Sequence, residues 1–154
     1  MQHDWDKNLL ALAKHVAGWS KDPSTKVGAV VVAKDDRRKI AHGYNGFPPG
    51  IEDTHDRLNH RPTKYRLVVH AERNALDNAT FEVTDGTLYC TVHPCRECAK
   101  SIISRRIARV VTNPIPPVVP GTWTEEIPEA RALLAEAGVE VTVLDPDERG
   151  EIPF

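Results

Sequence analysis

Two short segments of the sequence contain a dense set of side chains that can bind a metal ion. They read His-Ala-Glu at 70–72 and Pro-Cys-Arg-Glu-Cys at 94–98, and each is predicted to begin a helix. At a helix start, unpaired backbone N–H groups and the helix dipole favour the thiolate form of cysteine, which is the form that binds zinc. A histidine with two thiolates leaves the fourth tetrahedral position of zinc open to water. The predicted ligands of this catalytic zinc site are His70, Cys95 and Cys98.

Glu72 lies two residues after the predicted histidine ligand. This spacing brings its carboxylate within reach of a water on the metal without making it a ligand. A carboxylate in that position can move protons between the water and a substrate. Glu72 is therefore the predicted catalytic acid and base.

Neither segment is specific by itself. A single Cys-x-x-Cys is more often a redox pair or half of a structural zinc site, and His-x-Glu alone carries almost no information. The combination, in a chain with one further cysteine, Cys90, favours a catalytic centre, and it is the signature of zinc-dependent nucleobase deaminases. Cys90 lies in a predicted strand, where we expect a buried side chain that acts as a small apolar residue.

Length and composition predict one domain with one core. The chain has 154 residues, of which 40% are apolar, so residues 1–154 need neither disulfides nor a metal to fold, and a loose tail is expected at 145–154. The formal net charge of −2 argues against a protein that coats nucleic acid and favours a small-molecule partner. An odd number of cysteines, with no signal peptide and no apolar stretch long enough to span a membrane, predicts a soluble cytoplasmic protein.

Hydrophobic periodicity predicts alternating helices and strands around these motifs. An apolar stripe that begins near Asp4 predicts a first helix, and the β-branched run at 26–33 predicts a strand buried on both faces. Residues 46–66 have no clear period and are expected to form one long surface loop. The pattern predicts an α/β fold with a mixed sheet. Further helices are predicted at 68–79, 94–105 and 125–138, and further strands at 38–45, 87–92, 108–113 and 139–144.

Four blocks of the sequence resemble, in order, the deoxycytidylate (dCMP) deaminase family across residues 4–144. They are KDPSTKVGAVVV, GYNGFPPG, TKYRLVVHAERNAL and TLYCTVHPCRECAKSII. The resemblance implies a three-layer α-β-α fold of the cytidine deaminase type with a mixed five-stranded sheet, and zinc-dependent hydrolysis of dCMP to dUMP. It also implies one Zn²⁺ per chain, a homo-oligomer with a hexamer favoured, and dCTP and dTTP as allosteric effectors.

The same resemblance implies roles for individual residues. Glu72 takes the proton of the activated water as C4 of the cytosine is attacked, and it then protonates N3 and the leaving amine. Asn45 matches the asparagine that binds the sugar, and the backbone at Ala71 and around His93 matches the groups that hold the pyrimidine edge. The wall beneath the ring corresponds to Val27, Gly28 and Ala29, and a regulatory segment to Gly43, Tyr44, Asn45 and Gly46.

A nucleotide substrate requires a site for its 5′-phosphate. The segment 55–66 is the most cationic in the chain, and it lies directly before the predicted metal helix. Its Arg57, Arg61 and Lys64 are predicted phosphate contacts, with Lys26 as an independent candidate. The alternative is that these charges belong to a solvated surface loop.

Three alternative functions stay open at this point. A tRNA adenosine deaminase shares the zinc signature, but the acidic C-terminal region argues against an RNA surface. A nucleoside cytidine deaminase is less favoured, because those enzymes have Cys-Ala-Glu where this chain has His-Ala-Glu. A structural zinc module without turnover would have no use for Glu72 next to an open zinc position. The sequence leaves the preferred cytosine nucleotide undecided.

Overall fold

In a computed structural model of the protein, the described residues are 2–116 and 123–145. Within them the chain forms six helices and five strands. In chain order these are α1 (Gln2–Ala17), β1 (Gly28–Val32), β2 (Ile40–Tyr44), α2 (His55–Asn59), α3 (Arg61–Leu67), α4 (Ala71–Asn78), β3 (Thr87–Cys90), α5 (Arg96–Ser104), β4 (Arg109–Thr112), α6 (Trp123–Glu136) and β5 (Glu140–Val143).

The five strands form one mixed sheet in the order β2-β1-β3-β4-β5. Strand β1 is antiparallel to both β2 and β3, whereas β3, β4 and β5 run parallel to one another. Parallel neighbours need crossover connections, and α5 and α6 lie in those connections. The predicted α/β class and mixed five-stranded sheet are confirmed.

Both faces of the sheet are covered by helices, which explains the almost continuous apolar sequence of β1. Val30 packs in one cluster with Leu9 and Ala13 of α1, while Val31 packs in a second cluster with Ala75 of α4. The second cluster also contains apolar residues of α5 and α6. Because alternate residues of a strand face opposite sides, α1 covers one face and α4, α5 and α6 cover the other. This is the expected three-layer arrangement.

Two glycines allow helices to lie close against the sheet. A Cβ atom on Gly43 of β2 would be 2.4 Å from the backbone nitrogen of Ala75 and 2.6 Å from the carbonyl oxygen of Ala71. A Cβ atom on Gly28 of β1 would be 1.9 Å from the carbonyl oxygen of Ala13. A side chain at either position would displace α4 or α1. Gly43 therefore helps to set the position of α4, the helix that begins within the first metal-binding motif.

The segment 46–66 corrects the expectation of one long loop. It contains α2 and ends within α3, and the two helices are joined at His60. Thr54 caps α2 by accepting a hydrogen bond from the Arg57 N–H at 3.3 Å, and a proline lies in the first turn of α3. Polar residues lie on nearly every side of both helices, so hydrophobic periodicity provides no signal for them.

Part of the C-terminal prediction falls outside the described residues. Of the predicted tail 145–154, only Asp145 is described, and residues 117–122, directly before α6, also lie outside the described residues. Among residues 2–116 and 123–145, no helix has the length and apolar character needed to cross a membrane.

Candidate metal centre and active site

Two helix starts bring the three predicted metal ligands together. His70 directly precedes α4, Cys95 directly precedes α5, and Cys98 lies in the first turn of α5. Their ligand atoms all lie within 4.8 Å of one another. The Nδ1 atom of His70 is 3.3 Å from the Cys98 sulfur and 3.4 Å from the Cys95 sulfur. The predicted convergence of these residues is therefore present in the fold.

The spacing of these atoms fits zinc. Bonds of about 2.0 Å to nitrogen and 2.3 Å to sulfur, at tetrahedral angles, place nitrogen and sulfur ligands roughly 3.5 Å apart. The two nitrogen–sulfur separations, 3.3 and 3.4 Å, are close to that value. Three protein ligands leave one of four tetrahedral positions for water. The donor chemistry and the geometry both fit a catalytic zinc ion.

The donor set carries a thiolate before any metal binds. The hydrogen bond with Cys98 is the main cause that lowers the pKa of Cys95 to about 4. Burial would raise this pKa, but the hydrogen bond with His70 lowers it further. The same contact with Cys95 raises the pKa of His70 to about 9, although burial alone would lower it. Zinc ligands must be deprotonated, so zinc binding would release the protons held by His70 and Cys98.

Glu72 lies in the first turn of α4 with only 4% of its surface exposed. Its Oε2 atom accepts a hydrogen bond from the Cys98 thiol at 3.6 Å. Burial raises the pKa of Glu72, and the charge of His70 opposes that shift. The carboxylate therefore lies against the metal-binding group without belonging to it, as the spacing predicts.

The predicted wall beneath the base lies where β1 begins. The Gly28 N–H donates to the Thr91 hydroxyl at 3.2 Å, and the Thr91 N–H donates to the Gly28 carbonyl at 3.1 Å. These two bonds join residues 27–29 to the chain that runs from β3 into the second metal-binding motif. Ala29 and Ala71 are both fully buried in the cluster between the sheet and α4.

His93 is buried directly before the second motif. Its Nδ1 atom contacts the Pro94 carbonyl at 2.8 Å, which assigns the proton to Nδ1, and burial lowers the pKa of the ring. The neutral imidazole then presents Nε2 as an acceptor, and this buried atom has no hydrogen-bond partner among the described residues. His93 therefore has an unused acceptor beside the backbone expected to hold the pyrimidine.

Asn45 is buried, and its side chain holds the loop before β1. Its Oδ1 atom accepts from the Val27 N–H at 2.8 Å, and its Nδ2 atom donates to the Thr25 carbonyl at 2.8 Å. The Ser20 hydroxyl donates to the Asn45 carbonyl at 2.8 Å, and it also accepts from the Asp22 N–H at 3.2 Å. Sequence analysis did not single out Ser20 or Asp22. Asp22 lies in the block KDPSTKVGAVVV, where Asp-Pro-Ser favours a turn, but neither that turn nor the sequence around Ser20 reveals a distant partner.

The predicted regulatory segment runs from the end of β2 toward the metal-binding group. Gly43 is buried against α4, whereas Tyr44 is 39% exposed and its ring packs edge-on against Trp19. Gly46 and Val69 exchange backbone hydrogen bonds of 3.1 and 2.8 Å. This exchange ties the segment to the residue directly before the histidine ligand.

The four predicted phosphate contacts have different environments. Lys64 is buried and forms an ion pair with Asp22 at 3.1 Å. Arg57 on α2 is half-buried, while Arg61 on α3 and Lys26 are exposed. The fold therefore presents three of these cations at the surface and withdraws Lys64 from it.

Cys90, the third cysteine, lies in β3 with no exposed surface. Burial raises the pKa of its thiol well above the usual value. The predicted buried position of this residue is confirmed.

A His/Cys/Cys donor set, with a glutamate beside it and a Pro-Cys-x-x-Cys motif at a helix start, defines the zinc-dependent deaminases as a class. The described fold and site have each of these features. The chain belongs to the cytidine and deoxycytidylate deaminase family, because the model of that family's zinc-binding region matches residues 3–113. Both metal-binding motifs lie within the matched residues.

The matched proteins include relatives of similar length and longer ones. An uncharacterized deaminase in the luxG 3′ region of Aliivibrio fischeri is 36% identical over 143 residues, covering 93% of this chain and 95% of the relative. Deoxycytidylate deaminase of Homo sapiens is 37% identical over 114 residues, covering 70% of this chain and 64% of the human protein. The chain thus spans just under two-thirds of the human relative.

One solved structure covers nearly all of both chains. The dCMP deaminase of cyanophage S-TIM5, in complex with dCMP and dUMP, superposes with a TM-score of 0.73 at 27% identity. The superposition covers 94% of this chain and 99% of the phage chain. It supports the cytidine deaminase-like fold expected from the sequence.

Proposed function

We propose that the protein is a zinc-dependent dCMP deaminase, a hydrolase that converts dCMP to dUMP and ammonia in pyrimidine deoxynucleotide metabolism. The observation that carries this proposal is the convergence of the His/Cys/Cys group and Glu72 on a fold matched over 94% of the chain by an enzyme solved with dCMP and dUMP. The identity of 37% to human deoxycytidylate deaminase supports the same substrate. We take residues 1–154 as one deaminase domain.

The rival activities have less support. A tRNA adenosine deaminase needs a surface for an RNA backbone, and α6 begins with the acidic Glu125 and Glu126, which would repel phosphates. A nucleoside deaminase would need no phosphate site. A structural zinc module would not require the buried Glu72 carboxylate beside the metal ligands.

His70, Cys95 and Cys98 would hold one zinc ion per chain, which supplies a water activated for attack on C4 of the cytosine ring when it is bound. Glu72 moves the protons of that water. Its carboxylate accepts the first proton and delivers it to N3, and it then carries the second to the amine, which leaves as ammonia. The burial of Glu72 limits exchange of these protons with bulk water.

The base and the sugar would be held by residues around the start of β1. Val27, Gly28 and Ala29 form the wall beneath the ring, and the backbone at Ala71 and around His93 binds the pyrimidine edge. The Oδ1 atom of Asn45 has one acceptor position beyond its bond to the Val27 N–H, which is available to a sugar hydroxyl.

We expect the 5′-phosphate to select the substrate through the exposed cations Lys26 and Arg61 and the half-buried Arg57. A charge-assisted hydrogen bond to phosphate contributes roughly 1.5 to 3 kcal/mol, so loss of one contact should reduce kcat/KM for dCMP about 10- to 150-fold. Deoxycytidine has no phosphate and should be affected little. Ammonia release by the zinc-loaded protein and its Lys26→Ala, Arg57→Ala and Arg61→Ala variants measures both efficiencies.

The same assay separates the alternative functions. We expect dCMP to be turned over faster than CMP, deoxycytidine, dCTP or a tRNA anticodon stem. If all three variants left the ratio of dCMP to deoxycytidine efficiency unchanged, these cations would belong to a solvated surface. Deamination of the tRNA stem alone would replace the proposed function.

Addition of dCTP and dTTP tests the regulatory role proposed for the segment Gly43, Tyr44, Asn45 and Gly46. We expect these effectors to change the dependence of the deamination rate on dCMP concentration.

We expect the protein to be a homo-oligomer, with a hexamer favoured. A domain of this size has little room to enclose a nucleotide by itself, and the exposed rings of Trp19 (48%) and Tyr44 (39%) are suited to a protein contact. Light scattering at micromolar concentration should give a mass several times that of one chain. A monomeric mass with undiminished activity would contradict this expectation.

A cytoplasmic location is proposed on the chemistry of the cysteines. Two of them are expected to bind zinc as thiolates and the third is a buried free thiol. A reducing compartment preserves all three in the required state.

A further inference from the structure

A buried ion pair lies outside the metal-binding group, between α3 and the loop before β1. The Nζ atom of Lys64 is 3.1 Å from Oδ1 of Asp22, and the two side chains are only 5% and 9% exposed. Lys64 also donates to the Ser24 hydroxyl at 2.8 Å. Removing two charges from water is costly, so a buried pair of this kind is weak evidence for a role in stability alone. The position of this ion pair, between α3 and the loop before β1, indicates a further role.

Asp22 organises the loop on its side of the pair. Its Oδ1 atom accepts backbone N–H bonds from Ser24 at 2.9 Å and Thr25 at 3.1 Å, in addition to the Lys64 ammonium. Burial alone would raise the pKa of Asp22, but these donors hold it below its usual value. The carboxylate is therefore charged at neutral pH, and its hydrogen bonds hold the turn formed by residues 22–25.

The ordered loop continues directly into the proposed substrate wall. The Thr25 carbonyl accepts from Nδ2 of Asn45, and Oδ1 of Asn45 accepts from the Val27 N–H, both at 2.8 Å. Gly28, the next residue, is joined by two hydrogen bonds to Thr91, the residue directly after β3. A shift of the turn at Asp22 would therefore be passed to the wall and to the chain that enters the second metal-binding motif.

On its other side, Lys64 belongs to the helix that leads to the first metal ligand. The Lys64 carbonyl accepts from the Val68 N–H at 2.9 Å and ends α3. The next residue, Val69, is held by its backbone exchange with Gly46, and His70 follows. One ion pair thus connects the proposed substrate wall with the segment that carries the histidine ligand.

We infer that Asp22 and Lys64 are positioning residues, which hold the wall at 27–29 and the segment entering α4 in register, and that Lys64 does not contact the substrate phosphate. This inference rests on the proposed deaminase function. It distinguishes Lys64 from Lys26, Arg57 and Arg61, because a positioning residue acts on the base and on the metal-binding segment whether or not a phosphate is present.

The decisive experiment measures kcat/KM of Lys64→Met for dCMP and for deoxycytidine, using the zinc-loaded protein. A misplaced reacting group typically costs up to about 100-fold, so we expect both efficiencies to fall by a common factor of roughly 10 to 100. Lys21→Met is the matched control, because Lys21 forms an ion pair of 2.9 Å with Asp53 near the same loop but is 70% exposed. It should behave like the wild-type protein.

Hydrogen–deuterium exchange provides a readout that does not depend on activity. Exchange in the segment 22–29 should become faster in Lys64→Met, with zinc content and the melting temperature as companion measurements. If Lys64→Met does not fold, Ser24→Ala replaces it, since this change removes the hydrogen bonds of the Ser24 hydroxyl with Lys64 and with Asp22 and keeps the charge pair. We expect it to cause a smaller loss that is again equal for the two substrates.

Two results would overturn the inference. A lower kcat/KM of Lys64→Met for dCMP with an unchanged value for deoxycytidine would show that Lys64 contacts the phosphate. Unchanged kcat/KM for both substrates would show that the ion pair does not position the site. Inactivity of the wild-type protein on dCMP would instead reject the proposed function, and the exchange measurement would still report whether Lys64 orders the loop.

Discussion

Replacing Cys98 by alanine is expected to abolish both zinc binding and deaminase activity. Cys98 is 3% exposed in the first turn of α5, and its sulfur lies 3.3 Å from Nδ1 of His70. Loss of one of the three protein ligands leaves two, whereas a catalytic zinc ion is held by three protein ligands. Its loss also removes the thiol that contacts Oε2 of Glu72 at 3.6 Å. Metal analysis of the purified variant and ammonia release from dCMP measure the two effects.

Cys90→Ala provides the matched control for this experiment. Cys90 is buried like Cys98, but it lies in β3 and is not part of the donor set. We expect Cys90→Ala to keep one zinc per chain and near-normal activity, with some loss of stability from the vacated volume. Full activity of a metal-free Cys98→Ala protein would reject the proposed metal centre.

Replacing Glu72 by alanine is expected to leave zinc bound and to reduce the rate at least about a thousandfold. General acid and base catalysis by one group contributes roughly 100- to 10,000-fold, and Glu72 is proposed to transfer more than one proton in each turnover. The zinc ligands do not include Glu72, so the metal content should not change. Glu72→Gln, which keeps the shape of the side chain and removes its basicity, should lose a comparable factor.

Glu97→Gln is the control for the charge change. Glu97 lies between Cys95 and Cys98 in sequence, but its side chain is 67% exposed and pairs with Lys100 at 2.8 Å. Its replacement should leave the rate and the zinc content unchanged. Substantial turnover by both Glu72 variants would show that another group moves the protons, and loss of zinc from them would show that Glu72 also holds the metal.

Most of the fold and the metal ligands could be predicted from local sequence patterns. The metal ligands could be found because helix starts, thiols and a histidine each have a recognisable local sequence, and the structure brings them within 4.8 Å of one another. The periodic segments likewise predict all nine of the helices and strands that form the three layers, including β1, whose five residues are all buried. Alternating helices and strands with buried faces admit few arrangements, so the α/β class followed from the order of the elements.

Hydrophobic periodicity could not predict the two short polar helices, α2 and α3. Helix α2 has no buried residue, and Lys64 is the one buried residue of α3. Without an apolar stripe, the segment 46–66 has the composition of a loop. Its helices are set by local signals, the Thr54 cap and a proline in the first turn of α3, and by contacts with the rest of the domain.

The sequence alone determined which residues could bind zinc and move protons, because the types and spacing of His70, Glu72, Cys95 and Cys98 are chemical facts of the chain. Only the tertiary structure decided which of the cations lie at the surface and which is buried. Lys64 lies in the most basic segment and was predicted to bind phosphate, yet its ammonium is buried against Asp22, a partner 42 residues away. Local charge predicts a surface, whereas burial depends on which distant segments pack together, and that is settled only when the whole chain has folded.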